Sequence, residues 1–122
     1  PVNSIENSTN VDVINAVRML NMTNRQEQAK GYWFNRFPAY TLNPDVFTHK
    51  ILWPTNLIKA KGYVKKGDYL YDYANQTSDF TEAIEADVTL FITFEDLPEA
   101  MRRYLTAKVA REFQNRYLGE PT

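Results

Sequence analysis

The apolar residues of this chain change period twice, and that change limits the folds open to it. Val13, Val17 and Leu20 recur at steps of four and three, with Ile14 and Ala16 beside them, as along one side of a helix. Further on the step shortens to two: Val88, Leu90, Ile92 and Phe94 alternate within residues 87–96, the pattern of a strand with one face buried. From Met101 the step is four again, through Leu105, Val109, Phe113 and Tyr117. Helix, strands and helix within 122 residues predict a single α+β domain. Its core would be a small antiparallel sheet with helices packed on one face.

The segments between fill in this outline. Residues 1–9 are polar and read as a loop, with Thr9 or Asn10 capping a helix over residues 11–30 that Gly31 ends. The far half of that helix is polar and should face water or a partner. YWFNRF (32–37) reads as the opening of a strand that residues 39–42 extend beyond Pro38, and NPD (43–45) as a turn. Pro54 splits residues 51–60 into two short pieces or places them at a sheet edge. Residues 63–73 form a hairpin with Gly67 in its turn, and residues 74–80 a loop. Asp96 is placed to cap the last helix, with Pro98 in its first turn and Gly119 and Pro121 to stop it.

Composition closes several routes to chemistry. The chain has no Cys, so disulfides, thiolate metal sites and thiol catalysis are out. Its one histidine, His49, has no GxSxG elbow to serve and too few companions for a zinc site. No phosphate-binding glycine loop is present. No catalytic residue, metal ligand or cofactor is therefore assigned. No apolar run reaches the length that spans a bilayer. The net charge of −1 does not describe a nucleic-acid coat.

Charge is nonetheless unevenly spread. Asp79, Glu82, Glu85, Asp87, Glu95 and Asp96 follow one another with no Lys or Arg between them. Lys59, Lys61, Lys65 and Lys66 cluster around the hairpin, and Arg102, Arg103, Lys108, Arg111 and Arg116 lie on the last helix. Two readings fit. Oppositely charged patches could meet between copies. Alternatively, a pair of the carboxylates could cleave a glycosidic bond, with Trp33 and Trp53 stacking on sugar rings, or the same aromatics could bind sugar without turnover. No motif fixes an acid, a base and a substrate site together.

Four segments go further. GYWFN (31–35), TLNPD (41–45), GDYLYDYANQTSDF (67–80) and DLPEAMRRYLTAKVAREFQNRYLGEP (96–121) resemble, in order and spacing, the tail tubular protein A family of T7-like short-tailed phages. In the last of them Pro98, Glu99, Arg102, Tyr104, Lys108, Arg111, Phe113 and Arg116 fall on the family's helix pattern. The resemblance implies a structural protein of the virion tail, made in the host cytoplasm. It implies a dodecameric ring between the portal protein and the tail nozzle protein, to which tail fibres attach and through which genomic DNA passes without sequence recognition. It also implies further helices beyond both ends of these 122 residues. On this reading Lys65, Lys66, Asp79, Glu82, Glu85, Arg102, Arg103 and Arg116 are the candidate contacts to other copies or partners.

Overall fold

The computed structural model describes residues 2–117, with residues 2–10 and Tyr117 described by backbone alone. It is α+β, with a five-stranded antiparallel sheet and two long helices. The chain divides into two compact units. One comprises Gln28–Ile92; the other is made of Pro1–Glu27 with Thr93–Thr122.

The first unit is the sheet. Its strands are β1 (Arg36–Leu42), β2 (Leu57–Ala60), β3 (Tyr63–Lys66), β4 (Tyr69–Asp72) and β5 (Ile84–Leu90), in the spatial order β1-β5-β2-β3-β4. β3 and β4 form the expected hairpin in full register, from Tyr63 opposite Asp72 to Lys66 opposite Tyr69. Gly67 sits in the turn at φ 62°, where a side chain would be strained. Leu42, Ile51, Leu57, Leu70, Phe80, Ala86, Val88 and Leu90 bury into one cluster, against which Tyr40, Trp53, Tyr63 and Ile84 pack. Pro54 does split its segment, leaving Leu52 as a lone bridge to Tyr69 before β2 begins.

Two elements differ from the sequence reading. Residues 32–35 are a turn, so the aromatic run YWF precedes the strand and does not open it. The reason is Asn35, which is fully buried and spends its side chain on backbone. Its amide donates to the carbonyls of Gln28 (2.9 Å) and Leu90 (3.1 Å), and its oxygen accepts the Tyr32 N–H (2.7 Å). β5 starts earlier than expected and stops at Leu90. Beyond it Ile92 is held by Gln28, whose side-chain amide donates to the Ile92 carbonyl and accepts its N–H, both at 2.7 Å. The amides of Gln28 and Asn35 thus close the sheet unit where the chain enters and leaves it.

The second unit is helical. α1 spans Val2–Gln28 and α2 spans Glu99–Tyr117. α1 begins well before residue 11, so Thr9 and Asn10 lie inside the helix and cap nothing. No Gly or Pro interrupts residues 2–10, and Ser, Asn and Thr are only weakly unfavourable inside a helix. Its buried side is not the predicted one. Met19, Thr23, Asn24 and Glu27 are buried, while Val13, Ile14 and Val17 are about half exposed. The polar half that should have faced water is therefore partly interior. Glu27 accepts a hydrogen bond from Lys108 Nζ at 2.7 Å, which satisfies a carboxylate that would otherwise be costly to bury.

α2 follows its four-residue period: Met101, Leu105 and Val109 are buried, and Phe113 partly so. Asp96 does not cap it. It ends a short 3-10 turn (Phe94–Asp96) and accepts a hydrogen bond from the Thr93 hydroxyl at 2.8 Å. The stop at Gly119 and Pro121 lies outside the described residues.

Candidate functional site

The sheet unit carries a cleft where β1, β5 and β2 run side by side. It measures about 730 Å³ and is lined by Trp33, Arg36, Phe37, Pro38, Lys59, Lys61 and Asp87, among others, over Ala60 and Val88. The turn made by Asn35 leaves Trp33 80% exposed. Phe34 meets the Trp33 ring edge-on at 5.6 Å between centroids. The register of β1 against β5 shifts between Phe37 and Tyr40, at a bulge that contains Pro38. Ala39 there takes φ 53°, an unfavourable conformation for a residue with a side chain, and its N–H is held by Asp87 Oδ1 at 3.1 Å. Arg36, Lys59 and Lys61 are exposed around the rim, so the cleft is aromatic inside and mainly cationic outside.

An acidic depression of about 460 Å³ lies elsewhere in the same unit, lined by Asp72, Asp79 and Glu82 with Asn75, Thr77 and Phe80. Asp72 is committed to a turn. Its carboxylate accepts from the Asn75 side chain (2.8 Å) and from the backbone N–H groups of Ala74 and Asn75. The side-chain bond from Asn75, followed by the backbone bonds, holds its pKa below the usual carboxylate value. That is the opposite of what a general acid requires.

Between Leu42 and Ile51 the chain makes a tight loop. Asp45 Oδ1 accepts the N–H groups of Thr48 (3.0 Å) and Phe47 (2.8 Å), which lowers the pKa of Asp45. The tip presents Val46 at 78% exposure and Phe47 at 90%. His49 follows at φ 61°, with its Nδ1 3.5 Å from Asp79 Oδ1 in an exposed pair.

The sequence-predicted residues are therefore divided among several places. Asp79 and Glu82 share the acidic depression, whereas Glu85 is exposed on β5 opposite Thr41, and Glu95 and Asp96 belong to the helical unit. Lys59 and Lys61 line the cleft, while Lys65 and Lys66 are exposed on the hairpin, the Lys66 ammonium standing 4.4 Å over the Tyr71 ring. On α2, Arg103 pairs with Glu99 one turn back at 2.8 Å and Arg116 is exposed in the last turn. Arg102 is half-buried, with its Nε unpartnered. Trp53 is half-buried: its ring packs on the core and its Nε1 donates to the Leu57 carbonyl at 2.9 Å.

The Phe47 tip and the Arg36–Phe37 wall of the cleft were not singled out by sequence reasoning. A signal existed for the cleft: three consecutive aromatics, 32–34, cannot all face inward on an alternating strand. Among the described residues no group of His, Cys, Asp and Glu is placed to hold a metal ion.

A family model for tail tubular proteins matches residues 1–122, the whole chain. The chain belongs to the tail tubular protein family. No curated protein matches it in a sequence comparison. Family membership makes it a structural component of a bacteriophage tail, associated there with other tail or portal components. Among the described residues no helix is long and apolar enough to cross a membrane.

Proposed function

We propose that this tail component is a ring-forming adaptor. Copies join head to tail between the portal and the tail nozzle, carry the fibre attachment, and surround the channel through which DNA passes. The observation that supports this reading is the separation of unlike surfaces on one folded unit. The sheet carries a cationic aromatic cleft in one place and an acidic depression in another. Identical copies with two unlike patches associate heterologously, and such contacts close into rings when the rotation permits. By resemblance the ring is dodecameric. A channel needs no contact with base edges, so no sequence-reading element is called for. Lys65 and Lys66 on the hairpin, Asp79, Glu82 and Glu85 on the acidic side, and Arg102, Arg103 and Arg116 on α2 are the proposed contact residues.

Light scattering over a size-exclusion column tests the reading. A ring-sized particle, from this chain or from a form with longer termini, is the expected result. Particles that remain monomeric at every concentration and terminal length would overturn it. The hairpin's part is tested by Lys65→Glu with Lys66→Glu, which should weaken assembly and change its salt dependence. Unchanged assembly removes the hairpin from the interface.

A further inference from the structure

We propose that the Phe47 loop tip of one copy seats in the Trp33–Phe37 cleft of the next. The inference rests on the ring reading above and names the contact that would build it. It begins with the tip. An aromatic side chain left 90% exposed contributes nothing to its own fold. Yet the loop that carries it is tightly held. Asp45 accepts from Phe47 and Thr48 and also donates its own N–H to the Lys50 carbonyl at 2.9 Å. Farther along, the Phe80 N–H donates to the His49 carbonyl at 2.7 Å. A tip ordered in advance loses little entropy on docking, as an interface anchor should.

The cleft has the matching chemistry. Trp33 and Phe37 stand exposed as its aromatic walls, and its volume of about 730 Å³ is that of a pocket able to enclose a small ligand, ample for Phe47 and Val46 together. Aromatic walls rimmed by arginine are the usual seat of interface hot spots. Charge agrees as well. Asp45 and Asp79 flank the tip, while Arg36, Lys59 and Lys61 rim the cleft. The remaining charged groups do not reverse this. Asp87, on the cleft wall, is one carboxylate against the cations Arg36, Lys59 and Lys61, and Lys50, which follows the tip in the chain, is one cation against Asp45 and Asp79. His49 is paired with Asp79.

Placement completes the case. The cleft is built on the first residues of β1, Arg36–Pro38, and the loop follows its last residue, Leu42. The cleft thus lies at the start of β1 and the loop leaves from its end, the two strand ends being roughly 20 Å apart at a strand's rise per residue. Made head to tail, a contact between two different patches passes from copy to copy and closes as a ring when the rotation between copies permits.

The test places a photoreactive benzophenone side chain at position 47 of the 122-residue chain and maps cross-links between isotopically distinct copies by mass spectrometry. Cross-links should fall in residues 31–38 and 59–61. In parallel, Phe47→Asp should weaken self-association about tenfold or more, at unchanged circular dichroism. Lys59→Glu with Lys61→Glu should do the same, and adding Asp79→Lys should restore part of the loss. If copies assemble but position 47 cross-links elsewhere and Phe47→Asp assembles normally, the ring reading survives and this contact is overturned. If neither this chain nor a form with longer termini self-associates or gives an intermolecular cross-link, both are overturned. Binding of a DNA strand or an oligosaccharide that Trp33→Ala abolishes, with assembly untouched, assigns the cleft to another occupant and also overturns the proposal.

Discussion

The sheet unit and the helical unit bury their apolar residues in different ways. In residues 28–92 the large aliphatic side chains gather in one cluster, with Leu57 and Leu70 almost wholly out of water, while Trp33 in the cleft and Val46 and Phe47 at the loop tip are the unit's most exposed apolar residues. In the helical unit α2 buries Met101, Leu105 and Val109, but α1 leaves Val11, Val13, Ile14 and Val17 about half exposed. The interior positions of α1 are instead largely polar: Thr23, Asn24 and Glu27. Burial of apolar surface is the main favourable term in folding. The sheet unit should therefore be held mainly by close packing, and the helical unit to a greater degree by specific polar bonds.

The strongest test of this contrast is Leu70→Ala. A fully buried leucine in a closed cluster should cost about 2–5 kcal/mol when truncated. Urea unfolding followed by the fluorescence of Trp53, which packs on that cluster, should show the loss. A cost near zero would mean that the sheet core is not tightly packed. Next comes Asn35→Ala, which strips partners from the carbonyls of Gln28 and Leu90 and should cost about 1–3 kcal/mol. Its effect should be seen in faster amide exchange at Leu90, whose N–H donates to the Asn35 carbonyl at 2.9 Å in the disturbed turn.

The helical unit makes a pH-dependent prediction. The Lys108 ammonium is held above the ordinary lysine value, first by its hydrogen bond to Glu27 and then by the charges of Glu27, Tyr104 and Glu112. A raised lysine pKa stabilises the fold fully below the unfolded value of 10.5, and this contribution disappears as pH rises through the higher folded-state value. Lys108→Met should therefore melt earlier than the parent near neutral pH, and the gap should narrow in alkaline solution above 10.5. A gap that is constant across that range would mean that the ion pair does not hold the helices. The smallest effect belongs to Val13→Ser on the exposed side of α1, which should change stability by no more than about 0.5 kcal/mol. A larger loss in the assembled state alone would show that assembly covers this side.

Part of this fold is legible in the order of residues alone. The hairpin can be read because Gly67 stands between two β-forming runs, and turn chemistry acts over a few residues. The α2 stripe can be read because a four-residue repeat leaves one side to bury. The candidate site is less accessible. Trp33, Lys59 and Lys61 stand out by type, but their meeting depends on β2 and β1 both pairing with β5, from distant parts of the chain. The Phe47 tip escapes such a reading because nothing local marks an aromatic side chain as one the fold will leave outside.

The sequence by itself determined the α+β class, the hairpin, the buried stripe of α2 and, through four ordered segments, the resemblance to a tail tubular family that the whole-chain match then established. These depend on periodicity, turn chemistry or residue identity, all of which are properties of neighbours in the chain. Only the tertiary structure decided which side of α1 is buried, where the aromatic run turns, and which charges share a surface. Those outcomes depend on bonds across long separations: Gln28 to Ile92, Asn35 to Leu90 and Glu27 to Lys108. A buried polar group takes its partner wherever the fold supplies one, and local pattern carries no record of that choice.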